Sequence, residues 1–555
     1  MKDSVVSAFC VSVFALTIAL FSYRGLDPIN LGLIMINCLL FGLHLHGSLP
    51  KCSISPHTNP ELSTDETIGA KVVQCFNFRK NFLTIFKLPP KSVLGKPKLY
   101  RKREQIMCIN GIRTLAVTWV YIGHSYASAM FNTTDAIKVK GEFENTIGGL
   151  VVSNLGHLAV DVFFMLSGTL TVYVWMRREE RQKEIIPNKI PTESADPPTT
   201  SSMRHLTNWL CFYIHRFVRL WPSYALMYTM ITLVTTRFAS NQLGNVDVSA
   251  HSCDTAEYVK HLVMMPWLWK CHCHLYLWYV NVEWFFCLVS PIYLLALKHS
   301  PSIGQLLLVV AIVANCVFLG VTLMLNVKHQ WIIHPFARIG CHALGALLGH
   351  HLHTRPNASI WQLAWVRIIG WSFMLIFAVW SVAGQYIVRQ FALIYPSLET
   401  STFTHYHMFV HECTYRIVFL CAIAWLILDS FMNQATSHIN SILSARILTP
   451  IARLGYCIYL VTCVQWVVHF MWFGVGPWVG HVKHWACAIA CLPVSVLCAL
   501  MLSLYAEVPL VKVEKVISEN LRAKSSKTLP TDSSYNASSS GKSLKPASVL
   551  YVSSV

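Results

Sequence analysis

The chain has 555 residues, 54% of them hydrophobic and 13% charged, with a mean hydropathy of +0.47. Soluble domains carry about 25% charged residues, so water is not the main solvent of this protein. The formal charge of +18 would suit nucleic acid if Lys and Arg shared one face or one domain. They are instead gathered in particular loops, which reads as membrane topology and attraction to an anionic leaflet, with no nucleic-acid partner.

The apolar runs are about 20 residues long and recur down most of the chain. In lipid a segment must satisfy its own backbone hydrogen bonds, so runs of that length predict helices and an all-α, polytopic membrane bundle. Residues 5–21 are apolar but short, and only Arg24 to Pro28 separates them from a second apolar run from Leu31 to Leu49. The first run is either a signal peptide or a span. Its length and the brief link favour a signal sequence, cleaved or not. Residues 51–107 then hold eleven Lys and Arg against four acidic residues, which predicts a cytosolic loop under the positive-inside rule.

Ten spans follow, near 111–130, 151–175, 209–237, 276–297, 303–325, 336–352, 364–388, 407–429, 451–474 and 484–505. With the run from Leu31 that makes about eleven transmembrane helices, and an even number after the basic loop returns the tail to the cytosol. Lys512, Lys515, Arg522, Lys524, Lys527, Lys542 and Lys545 outnumber the tail's acidic residues, in agreement. The chain thus divides into residues 1–50, a signal-like segment and first helix; 51–107, the basic loop; 108–506, the membrane domain; and 507–555, a tail expected to be disordered beyond about residue 520.

Two marks bear on sidedness. Asn132 begins an Asn-Thr-Thr glycosylation acceptor in a loop that this topology makes lumenal or extracellular. The loop 238–275, on the same side, holds Cys253, Cys271 and Cys273, and a bridge from Cys253 to Cys271 or Cys273 is expected there. Acceptor patterns at Asn357 and Asn536 fall on the cytosolic side and should go unused. Cys271-His272-Cys273-His274 lacks the two-to-four-residue gap of structural zinc sites, so no metal is expected. The His407 and His411 pair reads as packed or interfacial, since no HExxH pattern accompanies it. His350, His351 and His353 suit a helix C-terminus.

Ionisable groups inside spans are costly and therefore functional candidates. Arg113 and His124 share one helix, eleven residues apart, which places them on one stripe with a rise of about 16 Å between them. A snorkelling Arg and a packed His is the plain alternative, and the two readings weigh evenly. Arg216 and Arg219 lie three apart at a cytosolic helix end and suit a phosphate-bearing ligand such as coenzyme A, or else lipid headgroups. Glu283 sits one or two turns into its span, where a carboxylate needs a basic partner or a proton. Asp161 precedes Ser167 and Gly168, a pair that permits close backbone approach or a helix break. No phosphate-binding Gly-rich loop, GxSxG elbow or dinucleotide fingerprint occurs in the sequence.

In order, the segments CINGIRTLAVTWVYIGHSY, AVDVFFMLSGTLTVY, YIHRFVRLWPSYAL, LWYVNVEWFFCLVSP, HPFARIGCHALGALLGHHL, ILTPIARLGYCIYLV and YAEVPLVKVEK resemble the acyltransferase 3 family, and within it the nose-resistant-to-fluoxetine subgroup. The resemblance implies membrane-embedded O-acyl transfer from a cytosolic donor, with Arg113 and His124 as the central pair. Arg216 and Arg219 take the place of its paired arginines, Ser167 and Gly168 that of its Ser-Gly, and Glu283 that of its acidic position. It implies acyl-CoA as co-substrate with no bound cofactor, and a hydroxyl acceptor among membrane lipids. The compartment would be the plasma membrane or the endoplasmic reticulum. Three departures stand out: the subgroup's long cysteine-bearing lumenal domain is expected to be missing, Thr462 replaces a frequent His, and LSGTL replaces LSGFL. The rival reading is a transporter or binding protein for lipids or hydrophobic small molecules on the same scaffold.

Overall fold

The computed structural model describes residues 28–48, 68–89, 106–131, 133–135, 137–139, 141, 146–185, 198–239, 255–268, 277–327, 333–354, 359–394, 402–433, 437–462 and 480–527. The run 5–21, Asn132, Cys253, Cys271, Cys273, Asn357 and Asn536 lie outside these residues. Helices make up nearly all of the described chain: α1 (Pro28–Ser48), α2 (Ile68–Cys75), α3 (Phe78–Phe86), α4 (Cys108–Phe131), α5 (Ile147–Ile185), α6 (Pro198–Ala239), α7 (Thr255–Leu262) and α8 (Trp278–His299). There follow α9 (Pro301–Met324), α10 (Ile339–Thr354), α11 (Ala364–Ile394), α12 (Thr402–Met432), α13 (His438–Leu443), α14 (Leu448–Val461) and α15 (His481–Leu502), and after a π-helical turn at Ser503–Glu507, α16 (Val508–Lys527).

Six helical stretches among the described residues are long and apolar enough to cross a membrane: Gly156–Arg181, Trp278–His299, Pro301–Met324, Ala364–Gly384, Tyr406–Met432 and His481–Leu521. The protein is a multi-pass, all-helical membrane protein, and the figure of eleven spans rests on the sequence alone. Burial sorts these stretches into inner and outer. The window in α5 is 83% buried against 11% in α11, so α5 is the axis of the bundle and α11 its rim. Ile368, Phe373, Leu375 and Ile376 on α11, and Leu306, Val310, Val313 and Val317 on α9, turn apolar side chains outward. Water would penalise such faces; hydrocarbon does not.

The centre is made by α5 packing along α10, with α4 on the other side of α5 and α14 beyond α4. Small residues allow the α5–α10 approach. A Cβ at Gly345 would meet the Met165 carbonyl, one at Gly349 the Thr169 carbonyl, and one at Gly168 the His342 carbonyl. In lipid there is little hydrophobic drive between helices, so such close backbone packing is a main source of association.

At one end of the bundle α2 and α3 cover the ends of α14 and α16. Arg453 of α14 donates to the carbonyls of Thr84, Ile85 and Lys87 at 2.8 to 2.9 Å, satisfying the last turn of α3. Lys512 donates to Asn81 Oδ1 at 2.7 Å. The tail begins as helix through Lys527, seven residues beyond the point where disorder was expected, because its first turns pack on α2 and α6.

Candidate functional site

The sequence-derived candidates come from four helices, and the fold brings most of them to one place. Glu283, on α8, is buried, and Ser167 of α5 donates its hydroxyl to Glu283 Oε1. Arg113 of α4 and Arg216 and Arg219 of α6 all lie within electrostatic range of that carboxylate. Arg216 is held by a hydrogen bond from Nη2 to Thr171 Oγ1 at 2.7 Å, one turn along α5 from Ser167. Three guanidiniums thus surround a carboxylate in the interior; Glu283 offsets the cost of burying each of them, while the guanidiniums repel one another and leave positive charge in excess around it.

His124 stands at the far end of the same α4 stripe. Its ring centroid is 6.2 Å from that of Tyr459 on α14, and Tyr459 in turn packs edge-on at 5.2 Å against Tyr279 of α8. Tyr279 interacts electrostatically with Glu283, Arg113 and Arg219, so an aromatic bridge joins the histidine to the arginine cluster. Two buried polar atoms here, His124 Nδ1 and Glu283 Oε2, have no hydrogen-bond partner among the described residues. Buried orphan atoms of this kind are costly unless something comes to satisfy them. Thr462 is buried with its hydroxyl turned back to the Tyr459 carbonyl at 2.7 Å.

Gly168 does a different task from its neighbour Ser167. Its missing side chain admits the α10 backbone, on the face of α5 that packs against α10. Asp161 does not join the cluster either. Six residues before Ser167, about 9 Å along α5, it is fully buried between Arg338 and Arg416, at 2.6 and 3.0 Å. Arg338 also lies over the Trp278 ring at 5.0 Å. One carboxylate shared by two buried guanidiniums ties α5 to α12 and to the segment that leads into α10.

Sequence reasoning did not single out Arg338, Arg416, Tyr279, Tyr459 or Glu507. For Arg416 the signal was available, because it is an ionisable residue within a predicted span. The tyrosines carried none, being indistinguishable from packing aromatics. The histidine pair at His407 and His411 stacks at 6.3 Å, and His411 Nε2 meets the Trp380 carbonyl at 3.0 Å, apart from the arginine cluster. His350 meets Gln305 at 3.1 Å and His353 meets Glu180 at 3.0 Å. Among the described residues no group of three His, Cys, Asp or Glu is placed to hold a metal ion. No disulfide joins the cysteines of the described residues, and the three of the loop 238–275 are not among them.

A family model described as an acyltransferase domain, Acyl_transf_3, matches residues 107–504, more than half of the chain. Two curated relatives are both from Caenorhabditis elegans. "Regulator of hypoxia-inducible factor 1" is 23% identical over 233 residues, 40% of this chain and 40% of its own length. "Nose resistant to fluoxetine protein 6" is 20% identical over 400 residues, 64% of this chain and 44% of its own. The chain therefore spans less than half the length of the curated relatives it matches. No solved structure matches it.

Proposed function

Since the chain belongs to the acyltransferase 3 family, we propose that it is a membrane-embedded O-acyltransferase that moves an acyl group from acyl-CoA, arriving from the cytosol, to a hydroxyl acceptor, a membrane lipid by preference. The observation that carries this reading is the convergence of Arg113, Arg216 and Arg219 around buried Glu283, with His124 joined to them through Tyr459 and Tyr279. Unlike the Arg338–Asp161–Arg416 triad, which ties helices together, this cluster sets three guanidiniums around Glu283 and leaves positive charge that an anionic donor would neutralise.

In this reading Arg216 and Arg219 receive the phosphates of the donor, as planar guanidinium forks do. The acyl carbon then reaches toward His124. The imidazole takes the proton of the acceptor hydroxyl as its oxygen attacks the thioester carbonyl carbon. Negative charge gathers on the carbonyl oxygen as the tetrahedral intermediate forms, while Arg113, about 16 Å along α4 from His124, joins Arg216 and Arg219 in holding the donor's phosphates. The carbon–sulfur bond breaks, the coenzyme A thiolate takes the proton from the imidazolium, and the ester leaves. Glu283 balances the arginine charges before the donor arrives and keeps the guanidiniums oriented. The same reading makes the protein a multi-pass resident of the plasma membrane or endoplasmic reticulum, glycosylated at Asn132 and bridged from Cys253 to Cys271 or Cys273.

The test is direct. Purified protein in lipid nanodiscs is given acyl-CoA and a lipid extract, and released coenzyme A is followed with a thiol reagent. Release that depends on the lipid extract is the expected result. Binding of lipid without release of coenzyme A over any acyl chain length would replace the enzyme by a carrier built on the same scaffold.

A further inference from the structure

The outward apolar faces of α9 and α11 belong to helices long enough to cross a membrane. α3 is different, because its nine residues, Phe78–Phe86, are too few to span one. Asn81 and Ile85 take its inner side. Outward it presents Phe82, Leu83 and Phe86, Leu83 being 58% exposed, and Leu88 follows just past its end. At the helical repeat these three side chains fall within an arc of about 100°. The Phe82 and Phe86 rings lie 4.6 Å apart and form one ridge. Water would penalise such a ridge, and an exposed apolar patch of this kind marks a contact surface.

Positive charge borders the ridge. Residues 68–89 hold Lys71, Arg79, Lys80 and Lys87, all exposed, and no acidic residue. Lys80 and Lys87 are seven residues apart, so they lie within about 20° of one another beside Leu83, and Arg79 stands on the ridge's own side in the first turn. The depth of α3 is set by what it touches. Its capping residue Asn77 donates from Nδ2 to the Gly47 carbonyl at 2.9 Å, and His44 Nδ1 meets the Phe76 carbonyl at 3.1 Å. The turn from α2 into α3 is thereby fastened to the last turns of α1. Arg453 and Lys512 fasten the same helix to the first two turns of α14 and of α16. α3 therefore lies where membrane helices end, at the level of the lipid headgroups.

We propose that α3 is an interfacial docking helix for anionic lipid: Phe82, Leu83 and Phe86 enter the boundary between headgroups and acyl chains, and Arg79, Lys80 and Lys87 hold the acidic headgroups beside them. Helices of this kind lie in the plane of the membrane with the apolar face sunk about 5 to 10 Å. Basic side chains next to that face reach up to the headgroup layer while their stems cover apolar surface. The positive-inside rule gives this end the cytosolic leaflet, which is the anionic one. The surface is separate from the arginine cluster around Glu283, and it stands whether or not the protein transfers acyl groups.

The experiment places a photo-crosslinking amino acid on the ridge. Full-length protein carrying Phe82→p-benzoylphenylalanine, or separately Leu83→p-benzoylphenylalanine, is reconstituted in nanodiscs of equal phosphatidylcholine and phosphatidylserine. After irradiation the adducts are identified by mass spectrometry. Lipid adducts are expected at both positions, with phosphatidylserine captured about 2- to 5-fold more than phosphatidylcholine. Adding Lys80→Gln and Lys87→Gln should bring the two lipids toward equal capture while lipid adducts persist. The Leu83 probe, on the more exposed side chain, decides the matter if the Phe82 variant does not fold. Adducts to peptides of this chain or of a second copy would show that protein covers the ridge, and would overturn the proposal. Irradiated protein without adducts would do the same, since the ridge would then face water, and so would equal capture of the two lipids with all the basic residues in place.

Discussion

His124 and Asp161 are both polar residues buried in the bundle, and they should fail in opposite ways when replaced. His124 Nδ1 has no partner among the described residues, so His124→Ala removes a side chain that supports little around it. We expect coenzyme A release to fall by about 10²- to 10⁴-fold, the usual contribution of a positioned general base, with the thermal unfolding midpoint close to that of the wild type. A folded His124→Ala that turns over normally would remove the histidine from the mechanism. Arg113→Lys keeps charge and loses the planar fork, and should give an intermediate rate. Asp161 is the shared partner of Arg338 and Arg416. Asp161→Asn leaves two buried guanidiniums without their carboxylate, a change that typically costs about 3 to 5 kcal/mol. The expected outcome is loss of the monodisperse peak in size-exclusion chromatography; unaltered thermal stability would show that the triad contributes nothing to the fold.

At the scale of elements, the packing of α5 on α10 depends on three glycines whose positions a Cβ cannot share with the opposite backbone. Gly168→Ala forces the helices apart and should cost about 1 to 3 kcal/mol, measured as a lower unfolding midpoint with no selective change in donor affinity. A selective loss of coenzyme A binding at full stability would instead return Gly168 to the donor site. The helices themselves were legible in the sequence, since each long apolar run from α4 onward has a described helix over part or all of it. Hydropathy could not see where a helix changes character, as at the π turn, where Cys457 bonds Glu507 and His44 bonds the Tyr505 carbonyl from two other helices. The arginine and histidine candidates were legible for a related reason, that lipid makes an ionisable residue conspicuous. Arg416 is equally conspicuous by the same criterion. Tyr459 and Tyr279 could not have been chosen, because only the fold distinguishes a bridging ring from a packing one.

For the whole molecule the open quantity is which end faces the cytosol. The Lys and Arg excess in residues 51–107 and in the tail assigns both to that side. α3 and α16 meet at one end of the bundle, Lys512 bonding Asn81 and Thr84, so the two regions must share a side. Protease added to sealed, right-side-out cells should spare epitope tags in both, and Cys253 should resist alkylation until reductant is added. Cleavage of both tags on intact cells would invert the topology. One consequence of the Arg338–Asp161–Arg416 triad concerns time. The ribosome reaches Arg338 only 177 residues after Asp161, roughly 10 to 35 s at ordinary rates of synthesis. For that interval α5 carries a carboxylate whose counter-ions have not been made. The newborn helix must wait protonated, or sheltered at the insertion machinery, until its partners emerge. A nascent chain arrested just short of residue 338 should accordingly crosslink to the translocon through α5, and one arrested well beyond residue 416 should have let it go.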